Sequence, residues 1–128
     1  MPSIAPSLSL FALLVASTVF GSDTPDLMLG EALFRDNCAV CHGAQGEGAA
    51  GPRLVGDASA WSPALFARAV LEGIDEHGKP LEAAMPHWQQ GSFASDQDAA
   101  PSRAEVDAIH AYLGTLSATP SASSPSDE

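Results

Sequence analysis

Both cysteines of the chain and one of its four histidines fall within five residues, Cys38-Ala39-Val40-Cys41-His42. Two thiols three residues apart on a helical turn can add to the two vinyl groups of one porphyrin, while the adjacent imidazole reaches the iron from the same side. The spacing fits covalent c-type haem attachment, with Cys38 and Cys41 as thioethers and His42 as the proximal iron ligand. Three other chemistries use the same residue types. A redox dithiol of the C-x-x-C kind belongs beside a βαβ unit, and no stretch of this chain shows sustained strand alternation bounded by hairpin turns. Zinc needs four ligands; His77 and His87 would complete a Cys2His2 set, but ten residues apart. A disulfide between Cys38 and Cys41 would close a loop too short to matter much. The haem reading is favoured over all three.

Immediately downstream, Gly46-Glu-Gly48-Ala-Ala-Gly51 matches a dinucleotide-binding fingerprint to the letter, with Glu72 near the position of its acidic partner. That fingerprint must follow a strand and open a helix. Here it stands between Cys-His and a Gly-Pro turn, so the glycines are read instead as giving a tight loop room to pass a flat macrocycle.

An iron held by His42 has a sixth coordination position. The downstream candidates lie in HGKPLEAAMPHWQ: Met85, His87 and His77. A methionine is more often core packing than a ligand. Met85, however, precedes Pro86 in a segment without a helical stripe, and no other methionine follows the Cys-His motif. A thioether is a soft neutral ligand that favours Fe(II) and raises the potential, which suits electron transfer. Met85 is therefore preferred, His87 would give a bis-His iron, and His77 is read as surface.

Three helices must position these groups. In 23–37, Leu27, Gly30, Leu33, Phe34 and Asn37 recur at spacings of three and four. Gly30 interrupts this apolar face at a cost of about 1 kcal/mol relative to alanine, which points to close approach by another helix. Ser62-Pro63 opens a middle helix that Gly73 closes. Ser102 and Glu105 form a capping box for a last helix, with Val106, Ile109, Leu113 and Leu116 as its stripe and Tyr112 beside it. The predicted class is all-α, with long loops over 43–60 and 74–101 that need something to wrap around.

The ends differ from the middle. Residues 8–20 form an uncharged apolar run, too short for the ~20 residues of a bilayer span. Val19 and Gly21 suit the small positions before a cleavage site, so 1–21 is read as a secretory signal peptide, with an uncleaved N-terminal anchor as the alternative. Residues 22–117 are the predicted domain, and 118–128, rich in Ser and Pro with two terminal acids, a disordered tail. All sixteen acidic and all five basic residues lie beyond Gly21, so the domain and tail keep the net charge of −11. That charge argues against nucleic acid or an anionic membrane surface as partner and permits steering towards a basic protein patch.

With these residues in view, the chain resembles a class I, single-haem cytochrome c over about residues 24–117. The likeness rests on the first helix with Gly30 and Phe34, CAVCH, GPRLVG at 51–56, the middle helix, AMPHW at 84–88 and AIHAYLGTL at 108–116. It implies three main helices and long loops wrapped around one covalent haem c. It also implies that Pro52 offers its carbonyl to the Nδ1 proton of His42, and that Gly30 and Phe34 cross the last helix near Tyr112 and Leu113. Trp61 and Trp88 take the places of aromatic residues near the haem propionates, and Arg53 that of a propionate partner. The implied function is electron transfer between respiratory or dehydrogenase proteins, not enzymatic catalysis, in a periplasmic or otherwise exported setting without membrane insertion after signal cleavage. A haem subunit of a larger oxidoreductase complex is the alternative, as is an open-site haem peroxidase or gas sensor if Met85 does not bind the iron. GIDEHGKPLEAAMPHW is also similar to haem segments of cytochrome subunits serving membrane dehydrogenases and terminal oxidases. The 86–101 segment is longer than the usual link from the methionine to the last helix, so the resemblance does not cover its shape.

Overall fold

The computed structural model describes residue 2 and residues 24–118. The signal-peptide reading of 1–21 and the tail reading from 119 onwards lie outside the described residues. Within them the chain forms four α-helices, α1 (Leu27–Asn37), α2 (Ala39–His42), α3 (Pro63–Glu72) and α4 (Arg103–Ala118), with short 3-10 turns at Ala58–Ala60 and Trp88–Gln90. The described residues contain no strand, only isolated bridges pairing Ile74 with Pro80 and Phe93 with Asp96. The all-α class and the three main helices are as the sequence predicts, with one short helix, α2, added at the Cys-His motif.

Helix α1 begins at Leu27, the first residue of the apolar pattern read within 23–37. The Asp26 carboxylate accepts from the N–H groups of Met28 and Leu29 at 3.0 Å each, which fixes the start at Leu27. Consequently Leu27 sits one turn above the helix crossing and is 45% exposed, while Gly30, Leu33 and Phe34 are buried. The other two main helices start and stop where their capping residues dictate. Ser62 Oγ accepts from the Leu65 N–H, Pro63 occupies the first turn, and Gly73 takes the left-handed conformation at φ 72°. Ser102 and Glu105 bond reciprocally, with the Ser102 N–H on the Glu105 carboxylate at 2.7 Å and the Glu105 N–H on Ser102 Oγ at 3.2 Å. At its other end α4 runs through Ala118, one residue past the domain end at 117.

The crossing of α1 over α4 is the centre of the molecule. A Cβ on Gly30 would overlap the carbonyl of Ala108, so the two backbones touch. One turn on, the Phe34 and Tyr112 rings meet with centroids 5.9 Å apart and planes at 49°. Leu33 and Phe34 from α1, Val106, Ile109 and Leu113 from α4, and Phe66, Ala67 and Val70 from α3 form one buried cluster. Its rim is partly buried Cys38, Ala39, Leu54, Val55, Trp61 and Trp88. The motif residues thus stand on the wall of the core rather than on a detached loop. The 43–60 loop is tied to the far end of α4 by Ser59, whose hydroxyl lies 2.7 Å from that of Ser117.

Gly30→Ala should therefore destabilise the protein although alanine is the better helix former. Overpacking against backbone costs up to about 3 kcal/mol, offset by about 1 kcal/mol of helix propensity. The expected net loss of about 2 kcal/mol corresponds to a fall in Tm of roughly 10 °C for a domain of this size, measurable by thermal unfolding of the haem-loaded protein.

Candidate haem-binding site

The site is built on the junction of α1 and α2. Cys38 caps α1, and its carbonyl accepts from the N–H groups of Cys41 and His42 at 3.2 and 3.0 Å, winding the motif into one turn. Both cysteines are free thiols, Cys38 half-buried and Cys41 exposed. Burial, with a smaller contribution from Cys41, pushes the Cys38 thiol up to about 12. A redox dithiol needs a depressed thiol pKa to supply thiolate, so this turn is built against that chemistry. Val40, between the cysteines, is 82% exposed.

His42 is the buried polar residue of the core wall, 6% exposed. Its Nδ1 lies 2.8 Å from the carbonyl oxygen of Pro52. A carbonyl can only accept, so Nδ1 carries the proton and Nε2 keeps its lone pair for a metal. The Pro52 contact implied by the family resemblance is thus present. Around it the loop is laced by backbone bonds: the Gly48 N–H to the His42 carbonyl at 2.7 Å, the Gly51 N–H to the Cys41 carbonyl at 2.6 Å, and the Leu54 N–H to the Gly46 carbonyl at 2.9 Å. The glycines clear protein atoms. A Cβ on Gly51 would come within 3.1 Å of the His42 ring, and one on Gly46, at φ 68°, within 2.9 Å of Val55 and 3.2 Å of Leu113. Among protein atoms, this loop provides room for the imidazole and for α4.

Two thiols on one turn, an oriented imidazole with a free Nε2 and an apolar wall are the donor set and surroundings that a covalent haem needs. A zinc site of Cys38, Cys41, His77 and His87 is not assembled. Among the described residues the group of metal-capable side chains brought together is Asp75, Glu76 and His77, exposed apart from half-buried Asp75. A family model described as cytochrome c oxidase, cbb3-type, subunit III matches residues 25–113. The chain belongs to this family. No curated protein and no solved structure matches it. As a c-type cytochrome domain it binds haem c covalently and serves haem-based electron transfer. No helix among the described residues is long and apolar enough to cross a membrane.

The other residues singled out from the sequence lie on other elements. Met85 is half-buried in the 81–88 segment, its N–H bonded to the Glu82 carbonyl at 3.0 Å. His87 presses its ring on Gly73, where a Cβ would overlap the imidazole. His77 is exposed beside Glu76, its Nδ1 3.6 Å from the carboxylate. Arg53 is exposed and donates Nε to the Val55 carbonyl at 2.7 Å, bracing its own turn. Trp61 is half-buried after the 58–60 turn. Trp88 is half-buried with its ring edge-on to Phe93, centroids 5.0 Å apart.

Sequence reasoning passed over His110, Asn37 and Phe93. His110 faces inward from α4, its ring 4.7 Å from that of Phe66, and its Nε2 is buried without a partner. Burial lowers its pKa, partly offset by the backbones of Trp61 and Ala58 and by Asp107. A histidine whose folded pKa is depressed binds more protons when unfolded, so its contribution is complete above the unfolded value near 6.5 and is lost as pH falls below it. The wild-type Tm should fall between about pH 7 and pH 5, and His110→Gln, which cannot titrate, should flatten that slope in thermal melts of the haem-loaded protein.

Proposed function

We propose that this cytochrome is a single-haem electron carrier of an exported compartment, with His42 and Met85 as the two axial ligands. The observation that carries the reading is the buried His42 imidazole, oriented by Pro52 and flanked on one turn by two unpaired thiols. When bound, the haem iron supplies the one-electron Fe(III)/Fe(II) couple. The chain does the rest. Pro52 holds the Nδ1 proton and makes His42 a better donor, the apolar wall excludes water, and the thioether of Met85 favours the reduced state. His87 is the weaker candidate because its ring is committed to the end of α3. Arg53 braces its turn through Nε and Trp88 packs edge-on against Phe93, and both, with Trp61, keep the proposed places near the propionates.

The partner is a redox protein with a basic docking surface. A net charge of −11 favours a transient, electrostatically steered encounter with such a surface. Membership of an oxidase-subunit family supports a second reading, a haem subunit held in a larger oxidoreductase complex; co-purification of stoichiometric partners from the native membrane would favour it over the free carrier.

Met85→Ala provides the direct test. The wild-type ferric protein should be six-coordinate and low-spin with the near-infrared sulfur-to-iron band, and the variant should lose that band and bind CO when reduced. A wild-type protein that is already high-spin and CO-reactive would instead identify an open-site haem protein. Electron-transfer rates to a basic partner should fall as ionic strength rises, and a flat dependence would remove the steering role.

A further inference from the structure

We propose that Asn37 and the 91–96 segment form a strap that holds the methionine-bearing loop against the Cys-His helix, so that Asn37 is a positioning residue for the sixth ligand. The inference rests on Met85 being that ligand. Asn37 is the last residue of α1 and the one immediately before Cys38. Both functions of its side chain are engaged. Nδ2 donates to the Leu33 carbonyl at 2.9 Å within α1, and Oδ1 accepts from the N–H of Ala94 at 2.9 Å, across 57 residues of sequence. The helix bond sets the amide plane, and the amide oxygen then has a fixed direction in which to meet Ala94.

Ala94 is well placed for that contact because its neighbour is an anchor. Phe93 is 2% exposed, a member of the buried core, and its ring meets Trp88 edge-on. The Asp96 N–H closes a turn on the Phe93 carbonyl at 3.1 Å, which leaves the Ala94 N–H free to point at Asn37. The same loop is fastened to the end of α3 on both sides of Met85, by the Leu81 N–H on the Gly73 carbonyl at 2.8 Å before it and by the His87 ring on Gly73 after it. Beyond His87, the Ala94 bond adds a further fastening. The first two reach α3; the last reaches the residue that leads into Cys38 and His42. The two ligand-bearing segments are joined through protein as well as through iron, and the extended 86–101 segment has a mechanical purpose.

Met85 can leave the iron only if its loop moves, so a loosened strap should raise the opening frequency. Loss of one net hydrogen bond raises an opening equilibrium about fivefold. Imidazole added to the ferric protein, in competition with Met85, reads this directly. Asn37→Ala removes the bond from one side. Ala94→Pro removes it from the other, at the second position of a four-residue turn, where proline's fixed φ is well tolerated. Asn37→Asp retains an acceptor for Ala94 while losing the donor to Leu33.

Asn37→Ala and Ala94→Pro should each bind imidazole about fivefold faster than wild type, at the rate-limiting loss of methionine. Asn37→Asp, which keeps the acceptor for Ala94 but loses the donor that orients it, should fall between wild type and Asn37→Ala. If Asn37→Ala and Ala94→Pro match wild type, the strap is overturned. If Asn37→Asp is as open as Asn37→Ala while Ala94→Pro is closed, Asn37 serves only the helix end, and the strap is likewise overturned. A wild-type protein without the sulfur-to-iron band defeats the Met85 reading itself, an outcome visible before any variant is made.

Discussion

The hydrogen bond from His42 Nδ1 to the Pro52 carbonyl is the contact on which the site depends. It selects the neutral tautomer with the proton on Nδ1, fixes the ring's rotation and leaves Nε2 as the atom that can donate to a metal. A buried histidine without this partner would leave an N–H unsatisfied in an apolar wall, at a cost of about 1–3 kcal/mol. The loop that delivers Pro52 is accordingly the most heavily cross-bonded irregular segment near the motif. The glycines at 48 and 51 bring the backbone close enough to reach the carbonyls of His42 and Cys41.

The fold supplies what that contact requires. His42 ends a single helical turn that would not persist alone. It persists because Cys38 caps α1, and α1 is seated on α4 at Gly30. The same crossing brings Phe34 to Tyr112 and Leu113 to the edge of the 46–55 loop, so helix packing and ligand orientation are one arrangement. A domain of about 95 residues has little core to spare, and the partly buried rim around Cys38, Leu54, Val55 and Trp61 is where a large apolar cofactor would extend it.

Legibility in the sequence followed the range of the interactions. Ser62 with Pro63 and Gly73, and Ser102 with Glu105, are local devices, and they delimit helices where their residue types say they should. The apolar period of α1 also starts with the helix, at Leu27, where the Asp26 side chain takes up the first N–H groups. Gly30 announced a crossing, but only the fold names Ala108 as what it meets. His110 gave no sign of its burial, since one histidine on a mixed helix face reads as surface. Asn37 read as the end of an apolar stripe, and its bond to Ala94 spans a segment with no periodicity to place it. Within the Gly-rich stretch the three glycines were visible, whereas the groups they clear, His42 and Leu113, are set by tertiary packing.

The chemistry turns on whether Cys38 and Cys41 carry a porphyrin. Intact mass combined with a pyridine haemochrome spectrum, on protein expressed with haem-maturation machinery, decides this in one preparation. One haem added covalently per chain, with the spectrum of two saturated vinyl positions, is the result this account requires. A mass equal to that of the bare polypeptide would contradict it.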